Sequence, residues 1–309
     1  MPAAAVALCA LCAPACTAGQ LVKLGDSSPP PYHFDPPVLV TELASPSRTD
    51  NPTLTADLRE IYFTTDRTTG NGDVWFATRA TASGAFGPPA PVAAVNGASF
   101  ETSSAISADG LTLWFGSDRP GGAGGTDIWV SQRATRSAPW SSPENVVALN
   151  SPADDIPRPP GQHALVMPMA STKPAPGNPA VNNYQTYLAS RAAAGAPFAA
   201  PVAIPELDYA NRSTVDGCLT DDGLTLFFSS APVVTGVDGG ADAGVDKADL
   251  FVAWRRSTSE PFSVTQPLDD LNTSADERDP WLTPDGTTLY FTSDRGGALN
   301  IYTATVRQR

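Results

Sequence analysis

One pattern of spacing recurs along this chain and restricts its fold more than any other feature. An Asp, in three of four cases followed by Gly, is followed four residues later by an apolar triplet: Asp57 with Ile61-Tyr62-Phe63, Asp109 with Leu113-Trp114-Phe115, Asp222 with Leu226-Phe227-Phe228, and Asp285 with Leu289-Tyr290-Phe291. Asp-Gly is a tight-turn dipeptide, and the run after it is rich in strand-forming residues. A further strand segment follows at Asp73-Val74-Trp75, Asp127-Ile128-Trp129, Gln185-Thr186-Tyr187, Asp249-Leu250-Phe251 and Asn300-Ile301-Tyr302. An Arg stands four residues past the aromatic in four of these five: Arg79, Arg133, Arg191 and Arg255. Seven residues later comes Phe86, Trp140, Phe198 or Phe262, and nine after that Val95, Leu149, Leu207 or Leu271. Loops drift in length when nothing fixes them, so regular spacing means a repeated structural unit.

Each unit reads as four strands. The apolar triplet is hydrophobic on both faces, so the second strand needs cover on both sides, which only sister copies can give. Pro89, Pro143 and Pro201 open the last strand, and proline suits an outermost strand whose missing N–H faces water. The N-terminal segment holds one more outer strand, with Phe34, Pro37 and Leu43 at the same offsets, while the C-terminus stops just after a third strand at Ile301–Val306. The expected fold is therefore all-β: a five-bladed β-propeller of four-stranded antiparallel blades, with residues 36–44 pairing beside 300–306 to close the ring. The third copy is degenerate, with Pro160-Gly161 for the turn and Ala164-Leu165-Val166 read as its triplet. Successive third-strand aromatics, Trp75, Trp129, Tyr187, Phe251 and Tyr302, lie 51 to 64 residues apart.

Composition fits this reading and narrows function. Hydrophobic content of 41% in 309 residues is enough for a core, and 25 Gly with 31 Pro favour many short strands. The net charge of −13 has no basic cluster to offset it, and the lysines are only Lys23, Lys173 and Lys247, so nucleic-acid binding and charge-driven membrane binding are not expected. Cys9, Cys12 and Cys16 crowd the N-terminus and Cys218 stands alone, which leaves no disulfide framework for the body. Residues 1–16 read as a signal peptide: an apolar, Ala-rich run ends in Ala13-Pro14-Ala15 before Cys16. This resembles the end of a bacterial lipoprotein signal, with Cys16 as the lipidated residue, although Ala13 replaces the usual Leu and no Lys or Arg precedes the run. Secretion without lipidation is the alternative. Residues 17–33 then form a tether and 34–309 the propeller. The expected location is extracytoplasmic, as a periplasmic or outer-membrane-anchored lipoprotein that touches the membrane only through its lipid.

Ser117-Asp118-Arg119 followed by Asp127-Ile128-Trp129 recurs as Thr65-Asp66-Arg67 with Asp73-Val74-Trp75, and as Ser293-Asp294-Arg295-Gly296-Gly297. The phrase resembles the WD-like β-propeller repeat of the TolB type, over about 34–309. The resemblance implies a propeller and leaves function open, since such rings serve as binding modules, scaffolds and enzymes. The Asp-Arg pairs are expected to be structural, Asp accepting turn N–H groups and Arg forking to Asp73 or Asp127.

Candidate chemistry is sparse. His33 and His163 belong to no nucleophile or metal pattern, Cys218 lies on an inner strand as a small hydrophobe, and no cofactor motif occurs. The loops entering the innermost strands carry Asp50, Glu101, Asp154, Asp155, Asp216, Glu277, Arg278 and Asp279, which would gather at the mouth of the axial channel. Asp238, Asp242 and Asp246 are a weak calcium candidate, since the alternating ligands of an EF-hand are missing. The functional expectation is a monomeric, non-catalytic binding or scaffold propeller that offers an acidic channel mouth to a protein or peptide partner. The alternative is an extracytoplasmic glycan-active hydrolase or sugar-binding propeller, whose mark would be a converging carboxyl pair with one raised pKa.

Overall fold

The structure is a computed structural model that describes residues 32–68, 70–161, 163–174, 183–207, 211–233 and 247–307. The chain runs β1 (Val38–Leu39), then blade 1 as β2 (Thr49–Leu54), β3 (Glu60–Thr65), β4 (Asp73–Thr78) and β5 (Ala90–Pro91). Blade 2 is β6 (Glu101–Ile106), β7 (Thr112–Ser117), β8 (Asp127–Gln132) and β9 (Glu144–Asn145). Blade 3 is β10 (Asp155–Pro157), β11 (Val166–Ser171), β12 (Gln185–Ser190) and β13 (Val202–Ala203), followed by a 3-10 turn at Pro205–Leu207. Blade 4 is β14 (Arg212–Leu219), β15 (Thr225–Pro232), β16 (Asp249–Trp254) and β17 (Val264–Pro267). Blade 5 takes β18 (Glu277–Leu282), β19 (Thr288–Ser293) and β20 (Asn300–Thr305) and borrows β1 as its outer strand. All pairings are antiparallel and the blades meet in chain order around a five-bladed propeller.

The ring closes as its edges require. Val38 faces Thr303, Leu39 faces Tyr302, and Phe34 bridges Val306 with its own side chain wholly buried. Without this strand β20 would present a row of unpaired N–H and C=O groups to water. Second strands are covered on both faces: Ile61, Phe63, Leu113, Phe115, Leu226, Phe228, Leu289 and Phe291 are fully buried on one, and Tyr62, Trp114, Phe227 and Tyr290 are buried on the other. Apolar triplets from neighbouring blades thus supply one another's core.

The repeat spacing has a physical cause. Arg79, Arg133, Arg191 and Arg255 each donate Nε–H to a carbonyl in their own blade's first turn, that of Leu58, Gly110, Ala164 and Gly223 respectively, at 2.6–2.8 Å. Each guanidinium also lies 4.3–4.6 Å from the centre of the ring seven residues on, Phe86, Trp140, Phe198 or Phe262. One side chain therefore ties turn, third strand and the segment entering the outer strand together, and lengthening any link would break the contact.

Two sequence expectations change. The third blade's triplet is Met167-Pro168-Met169, three residues beyond Ala164-Leu165-Val166, because its turn is longer and holds His163 and Ala164 at positive φ. The Asp-Arg pairs are structural, but Arg119 and Arg295 fork elsewhere than to the third-strand Asp. Each binds a carbonyl of the preceding outer segment (Val95 or Leu271), the Ser two residues before it, and the carboxylate that opens the inner strand (Glu101 or Glu277).

Candidate functional site

The inner strands β2, β6, β10, β14 and β18 surround the axis, and consecutive residues at their starts have different duties. The first residue closes its own loop. Glu101, Asp155 and Glu277 are wholly buried and accept the backbone N–H four residues upstream, from Gly97, Ser151 and Thr273 at 2.6–3.0 Å. Burial pushes the carboxyls of Glu101 and Asp155 up from the ordinary range, while hydroxyl and backbone donors, with Arg119 in the first case, pull the other way. These three carboxylates are committed to loop closure and lie outside the channel mouth. Asp154 belongs with them, its Oδ1 accepting Thr126 N–H at 2.8 Å.

The second and third residues face the axis. A funnel of ≈ 310 Å³ opens at the inner-strand starts, and among the sequence candidates Asp50, Asp216, Arg278 and Asp279 line it. Its walls include Ile156, Val215, Thr102, half-buried Phe100 and buried Tyr184. The rim charges are paired: Arg48 Nη1 lies 3.2 Å from Asp50 Oδ2, and Arg278 Nε lies 2.8 Å from Asp276. The acidic mouth expected from sequence is thus largely charge-compensated, because Arg48 and Arg278 share the rim with its carboxylates.

The floor depends on a bulge. Ladder register shifts within β2, β6, β14 and β18, where Asn51, Ser103, Asp216 and Asp279 sit at φ of 54°, 49°, 65° and 56°. Asn and Asp tolerate this left-handed region better than most residues, yet each such site still costs on the order of 1–3 kcal/mol. The bulge turns the side chains of Asp216 and Asp279 towards the hydroxyls of Ser229 and Thr292 on the adjacent strands. Asp279 Oδ2 also accepts Asn51 N–H at 3.1 Å. Burial and the neighbouring charge of Asp279 push the Asp216 carboxyl well above the ordinary range, against the pull of Arg158 and Ser229.

Blade 3 departs from this pattern. Pro157 stands where its sisters take positive φ, which the proline ring forbids, so β10 keeps a regular register and Arg158 falls opposite Pro168. Arg158 is wholly buried. It comes from blade 3, yet it donates to Asn51 Oδ1 in blade 1 (3.2 Å) and to the Pro280 carbonyl in blade 5 (3.4 Å). Its Nη1 also lies 3.7 Å from Asp279 Oδ1. Blades 1 and 5 lie across the ring from blade 3, so this side chain crosses the axis deeper than the funnel. Sequence reasoning missed it. The available signal was a lone cation in Pro157-Arg158-Pro159-Pro160, at a position where blades 2 and 5 carry Ala105 and Trp281.

The remaining candidates lie elsewhere. Asp238, Asp242, Asp246 and Cys16 fall outside the described residues, and among those described no cluster of His, Cys, Asp and Glu could hold a metal. Cys218 is buried, its sulfur accepting Leu282 N–H at 3.4 Å, and burial raises its thiol pKa. His33 pairs with Asp270 at 2.9 Å and His163 with Asp221 at 2.8 Å, both away from the funnel. No described helix is long and apolar enough to cross a membrane.

No family model matches the sequence, and no curated protein is similar to it by sequence. Solved structures are similar in fold. TolB from Acinetobacter baumannii aligns with a TM-score of 0.50 at 14% identity, over 87% of this chain and 56% of that one, so the chain spans little more than half of that protein. The catalytic domain of the Coprinopsis cinerea GH62 α-L-arabinofuranosidase gives 0.54 at 11% identity, over 89% and 96%. The α-L-arabinofuranosidase PaAbf62A from Podospora anserina gives 0.51 at 11%, over 84% and 91%. At these identities the likeness is one of fold.

Proposed function

We propose that this chain is a non-catalytic binding propeller whose axial funnel receives a polar group of an extracytoplasmic ligand. The observation that carries the reading is the funnel itself. Two carboxyls from adjacent blades, Asp216 and Asp279, are held at its floor by strained backbone, and a buried arginine crosses the axis beyond them. Strain of this kind persists where the surrounding structure imposes it, and it clusters at functional sites. A rigid ring that brings several loops to one face suits recognition. A protein or peptide partner could present such a group, although the paired rim charges give it little field to follow. Export and anchoring at Cys16 belong to the same proposal and rest on the N-terminal sequence.

Thr102→Trp should test the site, because it fills the funnel and leaves every charge in place. Wild-type protein should retain a ligand from the extracytoplasmic fraction of its own cells that Thr102→Trp does not. Equal capture by both would contradict the reading. For the anchor, wild type should partition into detergent and Cys16→Ala should not; recovery of both in the membrane fraction would count against lipidation.

One observation favours a second reading, a glycan hydrolase. Burial and Asp279 push the Asp216 carboxyl up, and such a raised carboxyl beside a second one is what an acid–base pair needs. Turnover of any member of a glycan panel, abolished by Asp216→Asn with folding intact, would replace the non-catalytic reading with this one.

A further inference from the structure

The rim and floor of the funnel narrow the chemistry of what it takes. At the rim each guanidinium already faces a carboxylate, Arg48 with Asp50 and Arg278 with Asp276. Below the floor, Arg158 lies 3.7 Å from Asp279 and offsets it, and burial beside Asp279 favours the neutral form of Asp216. The site therefore has little net field to draw in a cation or an anion, and what it offers is fixed hydrogen-bonding groups of both kinds. Beneath the funnel, outside its lining, the wholly buried Arg158 Nε meets no acceptor among the described residues. Buried polar atoms without partners are rare in folded proteins, so each one needs a physical explanation. The walls are different in kind, with Ile156, Val215 and the half-buried ring of Phe100, over one face of which the Arg48 guanidinium lies at 5.5 Å from the ring centre. A ligand that fits has hydroxyls around its edge, carries no charge and shows an apolar C–H face to an aromatic ring. The volume of ≈ 310 Å³ lies at the low end of the range for small-molecule pockets, about 300–1,000 Å³, which suits one ring and not a polymer segment.

We infer that the funnel binds a single neutral sugar unit of a glycan, with Asp216, Asp279 and the rim pairs reading its hydroxyls and Phe100 covering one face of its ring. This rests on the reading of the funnel as the binding site.

The test uses the whole chain in saturation-transfer NMR and calorimetry, against a panel of monosaccharides and methyl glycosides, with n-butylamine as a cationic probe. At least one sugar should bind saturably. Its affinity should fall by about tenfold or more in Thr102→Trp and in the isosteric Asp279→Asn, and stay unchanged in Val147→Ser on the exposed outer edge. Thermal melting of each variant separates lost binding from lost folding. The inference is overturned if no sugar binds, if sugar binding survives both funnel variants, or if butylamine binds there and sugars do not. If no sugar binds while Thr102→Trp still abolishes ligand capture, the binding reading stands and the sugar assignment alone falls, leaving a protein or peptide group as the occupant.

Discussion

Asp216 is costly twice over, in its positive-φ backbone and in a carboxyl that burial and Asp279 hold from ionising. Its raised pKa gives a signed prediction. Below the unfolded value of about 4, native and unfolded chains are both protonated at this position, and the shift has no effect on stability. Above it the unfolded chain ionises while the native state keeps its proton, so the contribution to stability falls as pH rises towards the native value of about 8. Asp216→Asn tolerates the same φ and cannot ionise. It should melt with wild type near pH 4 and above it at pH 7, with a gap that widens between; a gap that narrows with pH would refute the assignment. Arg119 is the opposite case. Its partner Glu101 is wholly buried, so Arg119→Met leaves a carboxylate short of its cation and should cost about 3 kcal/mol in denaturant unfolding, near the low end for a broken buried pair because Ser117 and Gly97 still donate. A loss under 1 kcal/mol would place Glu101 among ordinary surface pairs.

Strands and turns repeat the lesson with one exception each. Phe34 fills the core between the first described segment and blade 5, and Phe34→Ala should cost about 3–5 kcal/mol by calorimetry, with accelerated proteolysis near β20 as the edge opens. Unchanged melting would mean the borrowed strand is ornamental. Closure of this kind was legible in sequence because aromatic, Pro and aliphatic offsets survive even where strands are two residues long. The funnel was legible only in part. Inner-strand starts were identifiable, but Glu101, Asp155 and Glu277 are first residues that turn into their loops, while Asp50 and Arg278 come one later and Asp216 and Asp279 two later. A shift of one residue reverses the face of a strand, and a bulge adds a further turn that no hydrophobic pattern records. Blade 3 was hardest, since Pro157 removes the bulge and puts Arg158 across the axis. A second motif also went unread: Asn96, Asn150 and Asn272 follow the outer aliphatics and each pairs with both N–H and C=O of a third-strand residue, Val74, Ile128 and Leu250.

For the molecule as a whole, a closed ring of antiparallel blades leaves short, proline-flanked outer edges and one concave place where five strands converge. Fold alone does not choose among the functions such rings host. In this ring the inner strands β2, β14 and β18 bring the buried carboxyls Asp50, Asp216 and Asp279 to the funnel, and β10 sends Arg158 across beneath them. Where a ligand lands on this ring decides between the funnel and every other surface. Backbone amide shifts, followed by NMR as the captured ligand or the best sugar of the panel is added to the whole chain, would show this directly. The largest changes should fall on Asp50, Thr102, Ile156 and Arg278, the second residues of four inner strands, and on Val215, their counterpart in the longer β14, with Asp216 and Asp279 beside them. Changes gathered instead around Arg59, Arg79 and Arg136 in the cleft by the first turns, or along the outer strands near Val38 and Val202, would contradict it.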